Sequence, residues 1–190
     1  MTQQPRRARL WWTVVVVYTV VLFAVQSRLG FLVDALKERW GLQVFEAIML
    51  GASLAAGLGL AALAWRVWQR ADSGDRWILV GVMAGYAVGS AILEVPQERL
   101  HYVEYGLLAG LIYCAGRAQG LSTGTAGIAA LVGTSGLGYV DEVLQGALWE
   151  RRYFDWNDVR LNVQAATLGT LAAIPIERAL FRNRDRADQP

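Results

Sequence analysis

Ala47–Trp65 reads AIMLGASLAAGLGLAALAW, 19 consecutive residues without an Asp, Glu, Lys or Arg. An α-helix needs about 17–25 predominantly apolar residues to cross a bilayer core, because each residue advances it by about 1.5 Å. The pattern repeats along the chain. Charge-free windows also cover Leu10–Ser27, Trp77–Leu93, Tyr105–Gly116, Ala118–Val140 and Leu161–Ile176. The fourth and sixth reach spanning length only by admitting His101 and Glu104, or Asp158 and Arg160, near one end. Composition agrees: 55% of the 190 residues are apolar and 18% charged, with mean hydropathy +0.31, whereas soluble domains are about a quarter charged. The fold expected is therefore an all-α, polytopic membrane helix bundle of about six transmembrane helices.

Tryptophan supports this independently, since its ring prefers the level of the headgroups, where the N–H stays wet. All eight, Trp11, Trp12, Trp40, Trp65, Trp68, Trp77, Trp149 and Trp156, fall at or near window edges. Arg6, Arg7 and Arg9 before an apolar run also resemble a secretory signal. The length of the run, the lack of a small-x-small cleavage site and the five windows that follow favour a retained helix. The single Cys114 provides neither a disulfide framework nor a cysteine metal site within one chain. A net charge of +2, with basic residues at window edges, leaves no nucleic-acid footprint.

Six helices sort Lys and Arg onto two sides. Arg6, Arg7, Arg9, Arg66, Arg70, Arg76, Arg117, Arg178, Arg182, Arg184 and Arg186 fall on one; Arg28, Lys37, Arg39, Arg99, Arg151, Arg152 and Arg160 fall on the other. The basic side should be cytoplasmic, which places both termini inside a multi-pass protein of the cell membrane. Residues 1–181 then form a membrane domain, and residues 182–190 a polar cytoplasmic tail without regular structure. The segment from Arg28 to Gln43 carries Leu29, Leu32, Leu36 and Trp40 at helical spacing and suits the membrane interface. Gly81, Gly85 and Gly89, like Gly133, Gly136 and Gly138, suit close helix packing rather than ligand binding.

Polar residues of three segments fall at similar depth on the outer side. Glu98, His101 and Glu104 or Tyr105 share one face at the start of the fourth helix. Asp141, Glu142 and Gln145 end the fifth, with Arg151 and Arg152 beyond; Asp155, Asn157, Asp158 and Asn162 open the sixth. Each has an ordinary use as well: carboxylates suit helix N-termini, and amides tie membrane helices together. Glu142 is the hardest to assign so, because an ionisable group at that depth is costly unless paired or hydrated. A metal is not expected: Glu98-x-x-His101 has a ligand spacing, but such bundle sites need it twice and the chain has one His.

At these residues the chain resembles the VanZ-like family of membrane proteins, whose type member is associated with teicoplanin (glycopeptide) resistance. The resemblance is carried by Glu98-Arg99-Leu100-His101-Tyr102-Val103-Glu104-Tyr105-Gly106, by Asp141-Glu142 with Gln145, and by Arg151 or Arg152, Asp158-Val159, Asn162 and Gly169, within about residues 94–175. Gln97 and Glu98 stand where the family often has Asp-Lys, and Ala165 where it often has Gly.

The leading expectation is a cell-envelope protein whose outer cluster binds a membrane lipid, specifically a lipid-linked or anionic envelope component. Arg151 and Arg152 would hold the anion, and Glu98, His101, Tyr105, Glu142, Gln145, Asp158 and Asn162 would shape the pocket. The alternatives are an intramembrane acid/base enzyme acting on a lipid headgroup, with His101 and Glu142 as catalytic candidates; a small-molecule or proton-linked transporter; and a purely structural helix clamp. None requires a cofactor.

Overall fold

The structure is a computed structural model and describes residues 4–93, 98–148 and 153–187. Arg151 and Arg152 lie outside the described residues. Within them the chain is helical, without strands: α1 (Gln4–Trp40), α2 (Leu42–Trp68), α3 (Ser73–Ala91), α4 (Arg99–Ala118), α5 (Thr123–Leu148) and α6 (Trp156–Ala187). Two of these, α1 over Arg6–Gln26 and α2 over Leu42–Trp68, are long and apolar enough to cross a membrane by length and composition.

The breaks between helices have local causes. Gly41 stands between α1 and α2 at φ 83°, a left-handed conformation that costs glycine little. Asp72 caps α3 by accepting the Asp75 N–H at 2.9 Å. At the end of α4, Gly120 at φ 95° lets its N–H reach the Arg117 carbonyl at 3.0 Å while Leu121 N–H reaches Gly116 at 3.1 Å. That pair of bonds satisfies carbonyls the helix end leaves open.

α4 is the centre of the bundle and packs on α1, α5 and α6. Its Tyr105, Leu108, Ala109 and Tyr113 are fully enclosed. The tightest crossing is with α6: a Cβ on Gly169 would collide with the backbone of Gly106. Gly106 also makes room for the Tyr86 hydroxyl of α3, so three helices converge on one residue without a side chain. Gly85 receives Leu168 and Gly89 the Tyr102 hydroxyl, as glycines in packed membrane helices do. Gly81 and Gly136 face open space instead, so the expected packing role falls on only part of each glycine run. α2 stands at the periphery, and only Phe45 and Val67 are buried along it.

Two expected boundaries move. Arg28–Gln43 is not a separate interfacial element: α1 continues through it to Trp40 and first breaks at Gly41, no proline intervening. Nor is the tail from Arg182 without structure, because the backbone of α6 runs helical to Ala187, past Pro175, with Arg182, Arg184, Arg186 and Ala187 favouring helix.

Because nothing near the α4–α6 crossing is free to yield, Gly169→Ala should lower the thermal midpoint of the detergent-solubilised protein, with a loss of about 1–3 kcal/mol from overpacking. Gly136→Ala should hold or raise it, since alanine favours a helix over glycine by about 1 kcal/mol and has room there. Equal midpoints for Gly169→Ala and wild type would contradict the close crossing.

Candidate functional site

One end of the bundle gathers polar side chains from α4, α5 and α6. The first turn of α4 supplies His101 and, four residues on, Tyr105; their rings stack with centroids 5.9 Å apart and planes 7° from parallel. The last two turns of α5 supply Asp141, Glu142 and Gln145, and the first two turns of α6 supply Asp158 and Asn162. Asp141, Glu142, Gln145, Asn162, His101 and Tyr105 are all buried; the Asp158 side chain keeps 16% of its surface open.

The groups form a connected array. Tyr105 donates its hydroxyl hydrogen to Asp141 Oδ2 at 2.8 Å, and Gln145 Nε2 donates to the same oxygen at 2.8 Å and to Glu142 Oε1 at 3.3 Å. Glu142 Oε2 also accepts the Asp155 N–H at 3.3 Å, which draws the segment before α6 over the array. That segment lies against Gly146, where a Cβ would strike the backbone of Phe154. Phe154 packs edge-on to Trp156 and Tyr139, with ring centroids 4.9 and 5.8 Å away, an aromatic group beside the site.

His101 is held from both ring nitrogens. Nδ1 lies 2.8 Å from Asn162 Oδ1, and Nε2 lies 3.8 Å from Asp158 Oδ2. Asn162 directs its Nδ2 to the Gly138 carbonyl at 3.5 Å, which presents its oxygen to the imidazole. With the Asn162 oxygen turned to it, His101 Nδ1 is placed to donate, and Nε2 faces a carboxylate. Gly138 makes this arrangement sterically admissible, because a side chain there would meet Asn162.

Chemically, this is an acid-rich array with one imidazole. Asp141, Glu142 and Asp158 repel one another when all are ionised, and the low-dielectric surroundings strengthen that repulsion. The array is thus suited to holding or passing a proton and to receiving hydrogen-bond donors. Among the described residues, no group of three or more His, Cys, Asp or Glu side chains is placed to hold a metal ion.

The sequence candidates fare unevenly. His101, Tyr105, Glu142, Gln145, Asp158 and Asn162 come together. Glu104 does not join them: it turns to α1, where its Oε2 accepts from the buried Gln26 at 2.6 Å and its carbonyl accepts from Tyr18 at 3.0 Å. One residue of helical rotation, about 100° at 3.6 residues per turn, separates it from Tyr105 and decides the matter. Glu98 immediately precedes α4, half-buried, and its side chain does not cap the helix. Asp141 is more central than its sequence reading as half of an acidic pair; the signal was Gln145 at i+4, a spacing that lets the two side chains meet.

The chain has one histidine, so ¹⁵N-histidine NMR of the protein in micelles reports His101 without assignment. Wild type should show a protonated Nδ1, and Asn162→Ala should move the neutral tautomer toward Nε2–H. An unprotonated Nδ1 in wild type would refute donation from His101 to Asn162. Compared with known proteins, this chain matches no family model, no curated protein and no solved structure.

Proposed function

We propose that the chain is a six-span protein of the cell membrane, similar to the VanZ-like family, whose polar array at the outer face binds a lipid-linked or anionic envelope component. The observation that carries this reading is the convergence of three helices on one hydrogen-bonded, buried, acid-rich array; in sequence, Arg151 and Arg152 fall between α5 and α6, which both contribute to it. Buried ionisable groups in a bundle are expensive and mark function by default.

Support for the six spans comes from the outer surface. All six helices carry exposed large apolar residues, among them Val20, Leu58, Val88, Leu107, Ile128 and Leu171, the kind of surface that suits contact with lipid. α3 to α6 are less uniformly apolar than α1 and α2, but a helix shielded by neighbours need not be apolar all round, and the charged groups of α4 and α5 point inward. The orientation rests on the charge count and on which ends meet. Trp12 Nε1 donates to Gln119 at 3.2 Å, Arg117 pairs with Glu177 at 2.8 Å, and Arg178 pairs with the buried Asp75 at 2.6 Å. The start of α1, the end of α4 and the end of α6 therefore share one end of the bundle, opposite His101 and Glu142, and that is the basic side we assign to the cytoplasm.

A second reading is favoured by the His101 geometry. An imidazole fixed by Asn162 and facing Asp158 is arranged as a general acid or base, and a positioned proton transfer contributes about 10²–10⁴ in rate. The two readings share a site and differ in whether the bound headgroup is altered.

Native mass spectrometry of the purified protein with a total envelope lipid extract tests both. Wild type should retain one lipid species; folded Glu142→Gln and the Arg151→Ala, Arg152→Ala double variant should each lose it. Retention unchanged in both would reject the binding site. Mass conversion of the retained lipid by wild type but not by His101→Ala would select the enzymatic reading.

A further inference from the structure

α2 does not close against the bundle, and the space it leaves is a groove of two connected cavities, about 430 and 480 Å³. The cavities share Ala56 and Leu60 of α2, Met83 and Tyr86 of α3, and Tyr102 and Val103 of α4, so they form one channel along the helix axes. Each helix lends it one stripe. On α4 the stripe runs from Arg99 through Tyr102, Gly106 and Gly110 to Cys114, at intervals of three or four residues. On α2 small residues, Ala52, Ala56, Gly57, Gly59 and Ala64, line it between leucines such as Leu60 and Leu63.

The groove is apolar along its body and cationic at one end. Arg99 lines it at the same end of the bundle as His101, and it donates from Nη2 to the Leu93 carbonyl at 3.3 Å. Its Nε is buried with no hydrogen-bond partner among the described residues. A buried guanidinium N–H left unmatched is costly, and a phosphate oxygen is the acceptor that a guanidinium fork fits best. Length narrows the tail. From Arg99 to Cys114 the stripe covers about 22 Å at 1.5 Å per residue, whereas one leaflet of a roughly 30 Å hydrocarbon core is about 15 Å deep. An ordinary acyl tail stops near the midplane and leaves the far part of the groove, against Trp11 and Ile176, unfilled.

We infer that the groove between α2 and α4 binds the single tail of a long-chain polyprenyl phosphate, with the phosphate on Arg99. This rests on the membrane-embedded, lipid-binding reading above and names the lipid class. α4 then separates the two parts of the site: its Arg99–Tyr102–Gly106 face holds the lipid, and its His101–Tyr105 face belongs to the polar array.

The full chain in micelles is to be equilibrated with a polyprenyl phosphate whose tail exceeds one leaflet, with the corresponding polyprenol, and with phosphatidylglycerol, and retention read by native mass spectrometry. Two variants test the groove. Gly110→Leu plugs it at a position with nothing within 4 Å, and leucine is a better helix former than glycine, so the fold is kept. Arg99→Gln removes the cation. Wild type should prefer the polyprenyl phosphate over phosphatidylglycerol; Gly110→Leu should cut its retention about tenfold or more; Arg99→Gln should do the same for the phosphate and leave the polyprenol unchanged. Equal retention of phosphatidylglycerol, or full retention by Gly110→Leu, overturns the inference. Loss in Gly110→Leu with full retention in Glu142→Gln keeps the groove and removes the polar array as a binding site, whereas the reverse pattern keeps the array and overturns the groove.

Discussion

The α4–α6 crossing sets the geometry on which everything else depends. Gly106 and Gly169 allow two backbones to approach to a distance that no Cβ permits. In a membrane, where lipid tails are as apolar as leucine, such close van der Waals packing replaces the hydrophobic effect as the force between helices. The crossing lies only five residues after His101 and seven after Asn162 in sequence. It therefore fixes the heights of α4 and α6 relative to each other, and with them the 2.8 Å contact between imidazole and amide. Gly138 extends the same device to α5 by clearing space for Asn162.

Once three helices are held at that register, polar side chains have little freedom. Asp141 accepts from Tyr105 across the α4–α5 interface and from Gln145 along α5. Glu142 is tied both to Gln145 and to the backbone of Asp155. These bonds answer the demand that buried polar groups find partners. They also preorganise the array: the side chains are in place before anything binds, so little ordering entropy remains to oppose binding.

Much of this was legible in the sequence, and the part that was not has physical reasons. Charge-free windows located all six helices, since a charge taken out of water without a partner is costly in any apolar surroundings. Depth along each helix followed from the rise per residue, which is why His101, Glu142 and Asn162 were expected to meet. Rotation about the helix axis was harder. Glu104 and Tyr105 are neighbours in sequence, yet one faces α1 and the other α5, and the choice depends on which helices pack on each face of α4, which no local pattern reveals. The end of α1 was misjudged because amphipathic spacing over Leu29–Trp40 says that a segment is helical without saying whether it continues the helix before it. The groove beside α2 was invisible for a related reason: small residues predict close packing, and only the structure distinguishes a glycine against a neighbour, as at Gly169, from one against empty space, as at Gly57.

The two kinds of glycine express a division of labour between the halves of the bundle. On α4, α5 and α6, Gly106, Gly138 and Gly169 exclude space and hold a polar array at one end, while Gly110 opens toward the groove. α2 uses small residues without partners, and the result is an open apolar channel that begins at Arg99. A tightly packed half that fixes polar groups and a loosely packed half that leaves apolar volume are what the proposed amphipathic ligand would need, hydrogen bonds in fixed places at one end and only apolar volume at the other. Because α4 contributes residues to both halves within a single turn, Arg99 and Tyr102 to the groove and His101 to the array, no relay between distant sites is needed. The pitch of one helix sets the cationic end of the groove beside the polar array.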